Sequence, residues 1–126
     1  MPALPWIDGE PASADEQYLA MASRLPLRSH LAIPGFLRDT LRIRRQLARA
    51  PGMIGYGLKA DLVAKTFWTY SVWRDEDSMA AFARSEPHAT IMKRLRPRMG
   101  ESRFSTTTVA GDAIPRTWAE MSEPVR

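Results

Sequence analysis

The stretch from Lys65 to Met99 constrains this chain more than any other. It opens with KTFWTYSVW, a run of aromatic and β-branched residues without Gly or Pro, which is the composition of a well-buried strand. Arg74, Asp75, Glu76 and Asp77 end that strand. Asp75 is placed to cap a helix and Ser78 sits three residues on, while Glu76 and Asp77 suit the positive end of a helix dipole. Met79, Phe82 and Ala83 then recur at helical spacing. Pro87 interrupts this helix and can open a second one, because a first-turn residue needs no N–H. In that second piece His88, Ile91, Met92 and Leu95 fall at i, i+3, i+4 and i+7 and so share one face. A histidine thus lies on an apolar stripe that faces an aromatic strand.

The remaining segments supply partners for this unit. Gln17–Leu25 (QYLAMASRL) alternates as a strand ended by Pro26, with Tyr18, Ala20, Ala22 and Arg24 on one face. Leu31–Ala50 is the clearest helix. Phe36, Thr40, Ile43, Leu47 and Ala50 trace its apolar stripe, Arg38, Arg42, Arg45 and Arg49 its far side, and Pro51-Gly52 stops it. Met53–Asp61 alternates Ile54, Tyr56 and Leu58 against Gly55, Gly57 and Lys59, a second strand forming a hairpin with the aromatic one. Ser102–Ala110 is the fourth strand. The order β-α-β-β-α-β matches the ferredoxin-like α+β fold, a four-stranded antiparallel sheet with helices on one face. Trp68, Tyr70 and Val72 lie on the other face and are too apolar for water. Pairing two sheets face to face in a two-fold homodimer is the expected way to bury them. Tyr56 could donate to a carbonyl of a ligand, but parity places it at that interface instead. Residues 1–16 are read as an extended N-terminal arm docked through Trp6 and Ile7, residues 17–111 as the domain, and residues 112–126 as a C-terminal tail held on it by Ile114 and Trp118.

Composition narrows the chemistry. Without cysteine there are no disulfides, thiolate nucleophiles, cysteine zinc sites or iron–sulfur clusters. His30 and His88 are too few for a histidine-rich metal site, and no metal is expected. The net charge of +4 rests on arginine stripes without the interleaved exposed aromatics that nucleic-acid binding needs, so they are read as solvated helix faces. No apolar run approaches a membrane span and no secretory leader is visible, which points to a cytoplasmic protein without membrane partners. P-loop, dinucleotide-glycine and Ser/His/Asp patterns are absent.

The run TFWTYSVWRDEDSMAAFARSEPHATIM resembles the signature of dimeric α+β-barrel proteins: a strand ending in S-x-W, an acidic helix start, a Phe and then a His. These include antibiotic-biosynthesis-monooxygenase-like families and the DUF3291 group. The resemblance covers Gln17 to Gly111 and is strongest over Thr66 to Met92. It implies a cavity between sheet and helices and a dimer formed through the opposite sheet faces. The implied activities include cofactor-independent oxygenation of electron-rich aromatic molecules and, in other members, haem degradation. Ser71 and Trp73 then end the third strand on the cavity side, with Phe67 and Thr69 sharing their parity. In haem-degrading relatives the ligand histidine follows a tryptophan equivalent to Trp73. Ungapped alignment on Trp73 puts Met92 near that ligand position, with His88 one turn early.

The candidate site is therefore His88 as a general base, with Trp73, Ser71, Thr69, Phe67, Met92 and Phe36 around a hydrophobic ligand and Arg24 as an anion contact. A structural role for His88, bonded to a carbonyl beneath the helix, competes with the catalytic one. The expected function is a cofactor-independent monooxygenase acting on a hydrophobic or aromatic small molecule. A non-enzymatic small-molecule-binding protein and a haem-binding member, with His88 on the iron, are the alternatives.

Overall fold

The aromatic strand is the middle of the sheet. The computed structural model describes residues 3–126. Its strands are β1 (Ile7–Asp8), β2 (Gln17–Pro26), β3 (Met53–Asp61), β4 (Thr66–Trp73) and β5 (Arg103–Ala110), in the order β1-β3-β4-β2-β5 with every pairing antiparallel. The helices are α1 (Ile33–Leu47), α2 (Glu76–Arg84), α3 (His88–Leu95) and α4 (Trp118–Ser122). Strands β2 to β5 with α1 to α3 form the ferredoxin-like α+β unit, as the sequence pattern predicts. The fifth strand is the difference: the N-terminal arm adds β1 to the edge of β3, Ile7 opposite Tyr56 and Asp8 opposite Gly55. Glu10 fixes that arm. Its carboxylate accepts the Gly52 N–H at 2.6 Å and an Arg74 guanidinium N–H at 3.2 Å.

Local signals mark the helix ends, although α1 stops at Leu47, three residues before the expected Ala50. Asp75 Oδ1 accepts the Ser78 N–H at 2.8 Å at the start of α2. Helix α1 follows a short 3-10 turn over His30–Ala32 and leads to Gly52, whose φ of +81° only glycine adopts without cost.

Two apolar layers result, one on each sheet face. Under α1 and α3, Leu25, Phe36, Phe67, Ile91, Leu95 and Met99 pack together, and Leu47, Met53, Tyr56 and Trp73 continue the layer toward α2. The other face holds Tyr18, Ala20, Ala22, Ile54, Tyr70 and Val72. The sequence leaves this face for a second subunit. In the structure the chain itself covers it: Met121 and Val125 are buried there, with Trp6, Ile114 and Trp118 packed around them. Ile114 and Trp118 thus pack against the face that the sequence pattern assigns to the dimer.

Strict alternation in β3 also fails once. The register slips between Met53 and Gly55. Ile54 consequently joins the covered face, whereas Tyr56 and Leu58 turn toward the helices. Tyr56 therefore lies on the helix side and not at an interface.

Candidate functional site

Between sheet and helices the packing leaves a hollow of about 280 Å³. Its floor follows from strand register. Tyr56, Ser71, Met21 and Thr106 form one row across β3, β4, β2 and β5; Leu58, Thr69, Ser23 and Phe104 form the next. All but Thr106 line the hollow. Phe36, Ile43 and Leu47 of α1 form one wall, and Phe82, His88 and Met92 of α2 and α3 form another. Phe104 stands at the rim with half of its surface exposed.

Of the residues the sequence nominates, six meet here: His88, Trp73, Ser71, Thr69, Met92 and Phe36. Two do not. Phe67 has the right parity but is fully buried, with its ring 4.2 Å from that of Phe36, and supports the wall from behind. Arg24 pairs across strands with Trp68 and Arg103 and shares the parity of Ala20 and Ala22, so it lies on the opposite sheet face. It cannot contact a ligand in this hollow.

His88 is held in a defined state. Its Nδ1 lies 3.1 Å from the Ala83 carbonyl oxygen, an acceptor only, so Nδ1 carries the proton. The lone pair is left on Nε2. The imidazole also packs 4.9 Å from the Phe82 ring, which lies 5.2 Å from Trp73, so a base stands at the end of an aromatic wall. Burial pushes its pKa below the ordinary 6.5, against the smaller upward pull of the Ala83 carbonyl. Neutral imidazole is the resting form at neutral pH.

The surrounding polar groups are few and mostly engaged. The Trp73 indole N–H donates to Ser71 Oγ at 3.0 Å, and the Ser23 and Thr69 hydroxyls bond each other. Arg44 Nε donates to the Tyr56 hydroxyl oxygen at 3.4 Å, which leaves the phenolic proton free to point into the hollow. Asp39 is a buried carboxylate on the wall, but Arg94 meets it at 2.7 Å with Arg38 and Arg42 nearby. It is a paired structural charge and not a second base.

Gln46, which the sequence reading passes over, sets the position of His88. Its Oε1 accepts the His88 backbone N–H at 2.9 Å, while its Nε2 donates to the carbonyls of Phe82 and Ser85 at 3.1 and 3.3 Å. One amide thus satisfies the first N–H of α3 and gives a second donor to two carbonyls at the end of α2, which also accept the Ser85 and Ala89 N–H groups. Nothing in the spacing of α1 reveals this, because the partners lie about 40 residues away in sequence and meet only after packing.

The same lining tests haem. His88 Nε2 could ligate iron, but a hollow below the usual range of about 300–1,000 Å³ for drug-sized ligands is too small for a four-pyrrole macrocycle. Among the described residues Arg44 is its only lysine or arginine for two propionates, and it is engaged by Tyr56. Haem does not fit. Among the described residues no group of three or more His, Asp or Glu side chains is gathered to hold a metal ion. No helix among them is long and apolar enough to cross a membrane.

Sheet, helices and hollow define a small ferredoxin-like α+β protein with a cavity between its layers. The profile of the antibiotic biosynthesis monooxygenase family matches residues 32–94, half of the chain, and the chain belongs to that family. The matched stretch runs from the start of α1 into α3 and so contains Tyr56, Trp73 and His88. No curated protein matches the sequence significantly. Among solved structures the fold is similar to SnoaB, a cofactor-independent oxygenase from Streptomyces nogalater, with a TM-score of 0.62 and 16% identity over 82% of this chain and 98% of that one. A conserved protein from Methanosarcina mazei Go1 gives a TM-score of 0.64 at 16% identity, covering 71% of this chain and 90% of that one. PA3566 from Pseudomonas aeruginosa gives 0.63 at 13%, covering 73% and 93%.

Proposed function

We propose that this chain is a cofactor-independent monooxygenase that oxygenates a small phenolic or enolisable ring compound held between sheet and helices. The reading rests on His88. A proton on Nδ1, fixed by the Ala83 carbonyl, leaves Nε2 as an acceptor on a histidine that lines a mostly apolar hollow. A neutral base there takes the proton from a bound phenol or from an activated methylene, and the resulting anion is electron-rich enough to reduce oxygen directly. The substrate supplies the electrons. One oxygen atom forms the new C–O bond, and loss of water from the peroxide carries away the other. Trp73 and Phe82 provide flat surfaces for the ring, and the Tyr56 hydroxyl is positioned as a donor to a developing oxyanion. A volume of about 280 Å³ suits two or three fused rings and not a larger polycycle.

Oxygen uptake tests this. With a naphthol and with anthrone as probes, purified protein is expected to consume oxygen in a substrate-dependent way without added flavin or metal. His88→Ala should lower the rate about 100- to 10,000-fold, the usual contribution of a positioned base. Ligand binding seen by tryptophan fluorescence, with no oxygen uptake, would make the protein a binding module of the same fold. An unchanged rate in His88→Ala would remove the histidine from the reaction.

A further inference from the structure

We infer that residues 112–126, together with Trp6, replace a second subunit on the open face of the sheet, so that this chain is a monomer in solution. The barrel-type dimer that the sequence resemblance implies needs that face free. Here Tyr70 and Val72 of β4, Tyr18, Ala20 and Ala22 of β2 and Ile54 of β3 are all buried, and residues of the same chain bury them.

The seat is built for these occupants. Gly55 and Gly57 of β3 lie under the two tryptophans: a Cβ on Gly55 would come within 2.4 Å of the Trp6 ring, and one on Gly57 within 3.2 Å of Trp118 and 3.3 Å of Trp6. Ala20 and Ala22 keep β2 equally low beside them. This shallow trough takes protruding side chains from above, and Met121 at 4% and Val125 at 2% exposure fill it. A flat sheet from another copy would have to displace both rings before it could approach.

The covering segment is also tied down. Thr117 caps α4 by accepting the Glu120 N–H, and Ser122 Oγ donates to the Trp118 carbonyl. Arg103 on β5 donates to the Arg126 backbone oxygen, and Arg126 pairs with Glu123 at 3.0 Å. Only the short connection from Gly111 to Thr117 separates the segment from β5. A short tether gives an effective concentration in the millimolar range, so at micromolar protein the attached segment outcompetes a second copy by roughly a thousandfold for equal contacts.

Sedimentation velocity at low micromolar concentration tests this on the full chain. The expected result is one species at the 14.2 kDa of a single chain. The double variant Met121→Asp/Val125→Asp places two charges in the trough and should release the segment, red-shift the tryptophan emission and double the sedimenting mass. Trp118→Ala, which adds no buried charge, is read in parallel and should shift the same equilibrium more weakly. A wild-type dimer at low micromolar concentration overturns the inference, whether the variants fold or not. So does a variant with native circular dichroism and red-shifted emission that stays monomeric.

Discussion

At His88 the two ring nitrogens have different tasks, and titration separates them. Nδ1–H is spent on the Ala83 carbonyl, so protonation can occur only at Nε2, in a partly desolvated place that disfavours the cation. The folded pKa is therefore below the unfolded value. The unfolded chain binds the extra proton first, so stability contributed by the neutral ring is fully present above pH 6.5 and is lost as pH falls through the lower folded value. The acid limb of kcat/KM should accordingly lie below pH 6.5, and proton NMR of the imidazole should give the same midpoint. A limb above 6.5 would contradict the burial argument. Tyr56 offers a second residue-scale test. Tyr56→Phe removes one hydroxyl from the wall and one weak bond from Arg44, so the loss of stability should be about 1 kcal/mol or less, while kcat falls more than KM rises if the phenol donates to an oxyanion. A KM effect alone, read from steady-state kinetics, would make Tyr56 a simple binding contact. Trp73, Ser71 and Thr69 are legible from strand parity, because their strand is flanked on both sides and cannot slip without exposing its aromatics. Tyr56 is not legible, because a one-residue slip next to Gly55 reverses its face and leaves no mark in composition. Arg24 fails for a related reason: β2 is mixed on both faces, and only pairing with Trp68 shows which way it points.

The element that most controls the site is the break between α2 and α3. Pro87 signals that break in sequence, and the cap at Asp75 signals where the first piece begins. Neither says how the two pieces are held in relation to each other. Gln46 does this from α1, with three hydrogen bonds made by one side chain. Gln46→Ala should cost about 1–3 kcal/mol in urea unfolding, since it leaves the His88 N–H without its acceptor and takes a second donor from the Phe82 and Ser85 carbonyls, which keep the Ser85 and Ala89 N–H groups. Its effect on the site should exceed that cost. Oxygen uptake ought to fall by more than the lost folded fraction, because His88 is freed to shift with the start of α3. Gln46→Glu keeps the acceptor for the His88 N–H but turns a donor into an oxygen facing two carbonyls, and should be as damaging as the alanine variant. If both variants unfold earlier yet keep full activity when folded, the clamp serves stability alone. Asp39 and Arg94 join α1 to α3 one step further along, so the helical layer is fixed at two points on either side of the hollow.

Across the whole molecule the sheet separates two tasks. On the helix side the packing leaves an apolar hollow; on the other side Trp6, Trp118, Met121 and Val125 pack onto the sheet. Stability can therefore be lowered on one face without altering chemistry on the other. Met121→Ala removes a side chain buried to 4% exposure and should cost about 2–5 kcal/mol, the range for truncating a packed methionine. Because no residue of α4 lines the hollow, kcat and KM of the folded fraction should stay at wild-type values. The double variant Met121→Ala/His88→Ala then makes the separation quantitative. Its loss of stability should equal the sum of the single losses within about 0.5 kcal/mol, as for sites with no shared partner. Urea unfolding of all four proteins measures this. A coupling well beyond that margin would mean that β4, whose Tyr70 and Val72 face one layer while Ser71 and Trp73 face the other, transmits packing changes through its own backbone. In that case the covering segment would be a lever on the cavity as well as a lid on the sheet, and Met121→Ala alone should change KM.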